Sequence, residues 1–192
     1  MEAGKYFLDI NQLVYNSLTE TLSIEKVDQM FKESRKWQLI AYVLIPLLLF
    51  IKTHVIAAIL NIGAFFFEKR ISYKKLWGIV LRAEIVFIVV ALIKTFWMLF
   101  FFDDYTLKDV QVFYPLSMLS IIGAEGIEPY FLYPLQVINA FEIIYWIVLA
   151  LLLDKALKEE KGNTGIKIVL TSYTPALLIW VVAVMFFALN MS

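Results

Sequence analysis

The sequence contains no cysteine and a single histidine, His54. The missing thiols exclude a disulfide scaffold, a thiolate-bound metal and a cysteine nucleophile. With one imidazole, a zinc centre would need several carboxylates, and the acids are not spaced for that, so no metal site is expected. Charge of one sign is not in excess: 17 Lys and Arg balance 17 Asp and Glu. That balance gives no basis for a nucleic-acid partner. H-E-x-x-H, G-x-S-x-G, a P-loop and G-x-G-x-x-G are also missing. No catalytic residue, no cofactor and no enzymatic activity are therefore expected. The first 30 residues lack the basic start and compact apolar run of a cleavable signal peptide. Neither an internal repeat nor a low-complexity tract stands out.

What the chain does have is apolar surface. Hydrophobic residues make up 61% of its 192 positions, against roughly 45–50% in an ordinary globular domain. A soluble core of this size could not hide that much, and exposing it would invite aggregation. The expected fold is all-α: an integral membrane helical bundle with four or five membrane segments and an N-terminal amphipathic helix. Crossing a bilayer takes roughly 20 apolar residues in a helix. Three stretches meet this: 77–102, 130–153 and 166–189. None alternates as a barrel strand does.

The stretch from Trp37 to Phe67 is apolar except at Lys52-Thr53-His54. As one helix it would be about 45 Å long and place Lys52 at the midplane. As two pieces it could dip and return through a buried apex. Loop charge favours the second form. The turn from Glu68 to Lys75 carries four basic residues and one acid, and the connection from Asp154 to Lys167 is also basic. Both should be cytoplasmic. The connection from Asp103 to Pro129 has five acids and one Lys and should lie outside. Lys32, Arg35 and Lys36 also want the cytoplasm, which gives five segments with the N-terminus in and the C-terminus out. The four-segment form puts the N-terminus outside and breaks the rule once.

Residues 1–36 read as a cytoplasmic amphipathic segment and 37–192 as a single transmembrane helical domain. Ser23 is placed to N-cap a helix on which Ile24, Val27 and Phe31 recur at helical intervals. That helix either lies on the membrane face or packs on loops of the same protein. Val110 to Ile122 is apolar but short and interrupted by Pro115, which suits an interfacial or re-entrant piece.

Ionisable groups inside the apolar stretches are the candidate functional residues, because a charge near the bilayer centre costs about 2.5–3.5 kcal/mol on insertion scales. The candidates are Lys52, His54, Glu84, Lys94, Asn139 and Glu142, with Arg82 as an interface anchor. Glu142 lies near the centre of 130–153 and needs either a proton or a cation, with Lys94 or Lys52 in view as partner. Asn139 precedes it by three residues, which puts both on one helical face. Three readings stay open: polar contacts that fix helix packing, a path for a proton, ion or small solute, and a contact surface for another membrane subunit. Asp103-Asp104 reads as a solvated helix end and Glu159-Glu160 as a solvated run in the charged inner loop.

ISYKKLWGIVLRAEIVFIV (Ile71–Val89) and VINAFEIIYWIVLALLLDKAL (Val137–Leu157) resemble the third and penultimate helices of the Yip family of small polytopic membrane proteins. The likeness covers roughly Trp37 to the end. It does not extend to the cytoplasmic motif of the eukaryotic members. Lys-, Ile- and Phe-rich usage without Cys resembles bacterial proteins of Bacteroidetes type, which implies a multi-pass protein of the inner (plasma) membrane. The family has no settled catalytic residues to carry over. The resemblance implies a non-catalytic scaffold or accessory subunit of a membrane complex, with the lipid bilayer and other membrane subunits as partners. The alternative is a small transporter or channel component that uses Glu142 with Lys94 or Lys52.

Overall fold

The computed structural model describes residues 10–19, 22–101, 107–158 and 163–191. Asp103-Asp104 and Glu159-Glu160 lie outside the described residues. Among these residues every regular element is helical, and the only extended pairing is an isolated antiparallel bridge between Ser117 and Asn139. In chain order the helices are α1 (Ile10–Thr19), α2 (Ile24–Phe66), α3 (Tyr73–Ala83), α4 (Ile85–Phe101), α5 (Leu107–Val112), α6 (Met118–Ile122), α7 (Pro129–Val137), α8 (Ala140–Leu157), α9 (Thr164–Ile168) and α10 (Thr174–Met191). A π-helical turn, Val169–Tyr173, joins α9 to α10.

Three helical stretches are long and apolar enough to cross a membrane: Tyr42–Phe66, Tyr73–Phe101 and Thr164–Asn190. The second combines α3 and α4 across a turn at Glu84, and the third runs through the π turn. Pro175 accounts for that turn. It has no N–H to give and its ring crowds the carbonyl one turn earlier, so the helix widens. The carbonyls of Lys167 and Ile168 are taken instead by the hydroxyls of Thr171 (2.8 Å) and Ser172 (2.7 Å).

Two sequence expectations are corrected. Trp37–Phe67 does not dip and return: α2 is unbroken over 43 residues and runs straight through Lys52-Thr53-His54. A polar triplet breaks a membrane helix only if its groups go unsatisfied. Here Lys52 is paired, and the buried Thr53 hydroxyl accepts from the Trp77 indole at 3.1 Å. In the other direction, 130–153 is not one helix but two. The chain leaves helical geometry at Ile138 and Asn139, where Asn139 is extended (φ −144°, ψ 159°) and caps α8. Asn139 and Glu142 therefore do not share a helical face. The expected start at Ile24 holds, but the helix continues past residue 36 with no linker there.

The chain divides into two compact units. One comprises Met1–Ile51 and Ala91–Phe113. In it α1 lies against α5, and the Tyr15 hydroxyl donates to Asp28 on α2 at 3.3 Å. Trp97 stacks on Phe101 with ring centroids 4.8 Å apart. The apolar run Tyr42–Ile51 on α2 is exposed throughout.

The other unit comprises Lys52–Val90 and Tyr114–Ser192. Its core takes one stripe from each helix: Ile56, Ala57, Leu60 and Ala64 on α2; Leu76, Ile79, Val80 and Ala83 on α3; Tyr145, Leu149 and Leu153 on α8; Ile168 and Val169 at the π turn. The repeat at three and four residues puts each set on one face. Small residues let the backbones close up, as helices do when lipid offers no hydrophobic drive to associate. A Cβ on Gly63 would fall 2.5 Å from Ser172 Oγ, and one on Gly165 would fall 2.2 Å from the Ala150 carbonyl oxygen. The second contact is with backbone and cannot give way. Asp154, buried, accepts from the Gly165 amide at 2.7 Å and pins the start of α9 against α8.

Candidate functional site

Four segments of the second unit, two helices and two turns, bring polar side chains to its apolar interior. Lys52 on α2 sits 2.8 Å from Glu84 Oε2 and 4.4 Å above the Phe87 ring. Glu84 occupies the turn between α3 and α4, where it reaches inward at 6% exposure. Its other oxygen, Oε1, accepts from the Tyr145 hydroxyl of α8 at 3.1 Å. The Tyr145 ring is 5.6 Å from that of Tyr173, at the end of the π turn. The Tyr173 hydroxyl donates to Glu142 Oε1 at 2.9 Å, and the Trp146 indole donates to the same oxygen at 2.9 Å. The resulting series, Lys52–Glu84–Tyr145 beside Tyr173–Glu142–Trp146, is a chain of charge-assisted bonds, which are roughly twice as strong as neutral ones.

The bonds of Glu142 go to neutral donors one turn into α8. The only ion pair in the series is Lys52–Glu84. Lys94 lies in the other unit, where its ammonium donates to the Val110 carbonyl at 2.8 Å. His54 packs on Trp77 with centroids 4.7 Å apart, and its carbonyl accepts from the Tyr73 hydroxyl at 3.1 Å. Among the described residues no group of three His, Asp or Glu side chains is placed to hold a metal.

Asn139 works as a joint. Its Oδ1 accepts from the Glu142 amide at 2.8 Å, and its Nδ2 donates to the Gln136 (2.8 Å) and Val137 (3.0 Å) carbonyls. One side chain thus closes α7 and opens α8. The freed backbone on either side pairs with the segment before α6: the Met118 amide donates to the Ile138 carbonyl at 2.8 Å, and the Ala140 amide to the Leu116 carbonyl at 3.2 Å. Ser117, fully buried, caps α6 and donates to the Tyr114 carbonyl at 2.7 Å. Burial pushes the Tyr114 phenol up to about 12, with the Glu142 charge adding to the shift. That phenol is neutral at any physiological pH.

Sequence reasoning singled out Glu84 and Glu142 but missed the groups that hold them: Tyr145, Trp146 and Tyr173. Trp146 follows Glu142 by four residues, one helical turn. Tyr173 belongs to Thr171-Ser172-Tyr173-Thr174, four hydroxyl residues in a row within an apolar stretch. Both signals were legible.

Compared with family models, curated proteins and solved structures, the chain matches none. What fold and site define together is an all-helical chain whose three long apolar helices are compatible with a membrane protein.

Proposed function

We propose that the chain is a multi-pass protein of the inner (plasma) membrane, acting as a non-catalytic scaffold or accessory subunit of a membrane complex. One contrast carries this reading. The buried carboxylates are bonded to groups of their own unit, whereas only 22%, 33% and 22% of the three apolar windows is buried within the chain. Polar groups bonded inward fix helix packing. Apolar helix faces left uncovered suit lipid and neighbouring membrane subunits. The split helix α7–α8 would be the fourth membrane segment: α7 has 9 residues, too few to span, and the 18 of α8 include Glu142, Asp154 and Lys155. The likeness of Ile71–Val89 and Val137–Leu157 to the Yip family agrees with a role through partners.

A second reading rests on the break at Ile138-Asn139. Non-helical backbone within an apolar stretch, one turn before a buried carboxylate, is how discontinuous helices in transporters build ion and solute sites. Glu142→Gln separates the two. As a scaffold, the variant loses thermal stability or recovery of copurifying subunits in mild detergent and carries no flux phenotype. Flux of a proton or ion through proteoliposomes of the wild type, abolished by Glu142→Gln or shifted in its pH dependence, would overturn the scaffold reading in favour of the path.

A further inference from the structure

The turn that links α2 to α3 forms an open concavity of about 440 Å³ lined by Asn61, Phe65, Lys69, Arg70, Ile71 and Ser72. Two of its six lining residues are cations, and Lys74 and Lys75 follow within five residues, against the single acid Glu68. Arg70 is exposed and has no hydrogen-bond or ion-pair partner among the described residues. The Ser72 side chain makes no capping bond, although it stands at the N-cap of α3. Phe65 and Ile71 supply its apolar lining, and Phe65 and its neighbour Phe66 are 77% and 76% exposed at the end of a helix long enough to cross a membrane. Guanidinium forks and ammonium groups match phosphate oxygens, and exposed aromatic rings beside them match an acyl or glycerol surface.

We propose that this concavity binds the phosphate group of an anionic phospholipid, with Lys69 and Arg70 on the phosphate and Phe65 and Phe66 against the chains. The volume lies within the range of small-molecule sites, so one headgroup fits. Basic pockets where helices leave the bilayer take anionic headgroups, each cation near the surface contributing enough to shift affinity several-fold. The proposal rests on the membrane location proposed above but not on the scaffold role.

The full chain in detergent, mixed with equal amounts of dioleoyl phosphatidylglycerol and dioleoyl phosphatidylcholine, tests it by native mass spectrometry of the bound lipid. The wild type is expected to retain the anionic phosphatidylglycerol preferentially. Arg70→Gln lowers its affinity by roughly fivefold and the Lys69→Gln/Arg70→Gln pair by roughly ten- to thirtyfold. Lys155→Gln/Lys158→Gln removes the same charge from the C-terminal end of α8 and should leave the preference intact. Competition by glycerol phosphate that is lost in the Lys69/Arg70 pair assigns the contact to the phosphate alone; preference without competition assigns it to the whole lipid. Equal retention of both lipids by the wild type overturns the proposal, and so does an equal loss in the Lys155/Lys158 control.

Discussion

Lys52 and Glu84 lie 2.8 Å apart but are unequally buried, at 44% and 8% side-chain exposure. That asymmetry decides what each substitution costs. A Lys stem is long enough to carry its ammonium out to a polar surface when its partner is gone. A buried carboxylate cannot do the same. Lys52→Met leaves the Glu84 charge with one neutral donor, Tyr145, so a loss of about 2–4 kcal/mol is expected, in the range for breaking a buried pair. Glu84→Gln keeps a hydrogen-bonding side chain for Tyr145 and frees a half-exposed cation, so about 1 kcal/mol or less is expected, as for polar contacts between membrane helices. The double variant should be more stable than Lys52→Met alone, because no charge is left behind. Thermal unfolding of the three variants in one detergent checks the order. Equal losses for the two single variants would show that the bond matters only through its geometry.

Helix boundaries were partly legible in the sequence, and the places where they were not share a cause. Hydropathy locates Tyr42–Phe66, Tyr73–Phe101 and Thr164–Asn190 because each is a long apolar run. It does not register hydrogen bonds between distant residues. Lys52-Thr53-His54 reads as a break, yet its groups are satisfied by Glu84, Trp77 and Tyr73, which lie 19 to 32 residues away. Val137-Ile138-Asn139 reads as continuous, yet Ile138 and Ala140 pair with Leu116 and Met118. Asn139 was picked out for its polarity, and its role as a cap between two helices is something only the backbone reveals. Its value can be measured by substitution. Asn139→Ala removes the acceptor for the Glu142 amide and both donors to α7, which should cost about 2 kcal/mol, the upper end for a lost cap. Asn139→Ser restores the acceptor alone and should recover about half of that. Hydrogen exchange at the amides of residues 140–143 is the direct readout, with protection falling in the order Asn, Ser, Ala. Unchanged protection in Asn139→Ala would mean that the Leu116–Met118 pairing alone holds the start of α8.

At the scale of the whole chain, the unbroken α2 changes the topology that loop charge favours. Its 43 residues span about 64 Å at 1.5 Å per residue, roughly twice a bilayer core, so in the membrane orientation proposed above the helix would cross once and project well beyond one face. Its two ends then lie on opposite sides. Both carry basic residues, Lys32, Arg35 and Lys36 at one end and Lys69, Arg70, Lys74 and Lys75 at the other, and only one cluster can be cytoplasmic. The second is larger and sits immediately beside two apolar helices, where orientation is most sensitive to positive charge. With that turn inside, Tyr73–Phe101 leads out, the α7–α8 pair returns, and Thr164–Asn190 leads out again. Both termini are then external and the loop at 158–163 is internal. Reporters fused at the N-terminus, after Asn163 and at the C-terminus should therefore read outside, inside and outside. An N-terminal reporter that reads inside while the position after Asn163 reads outside would reverse the orientation and make the N-terminal cluster the cytoplasmic one; inside at both positions would require α2 to fold back on itself, against the continuous helix.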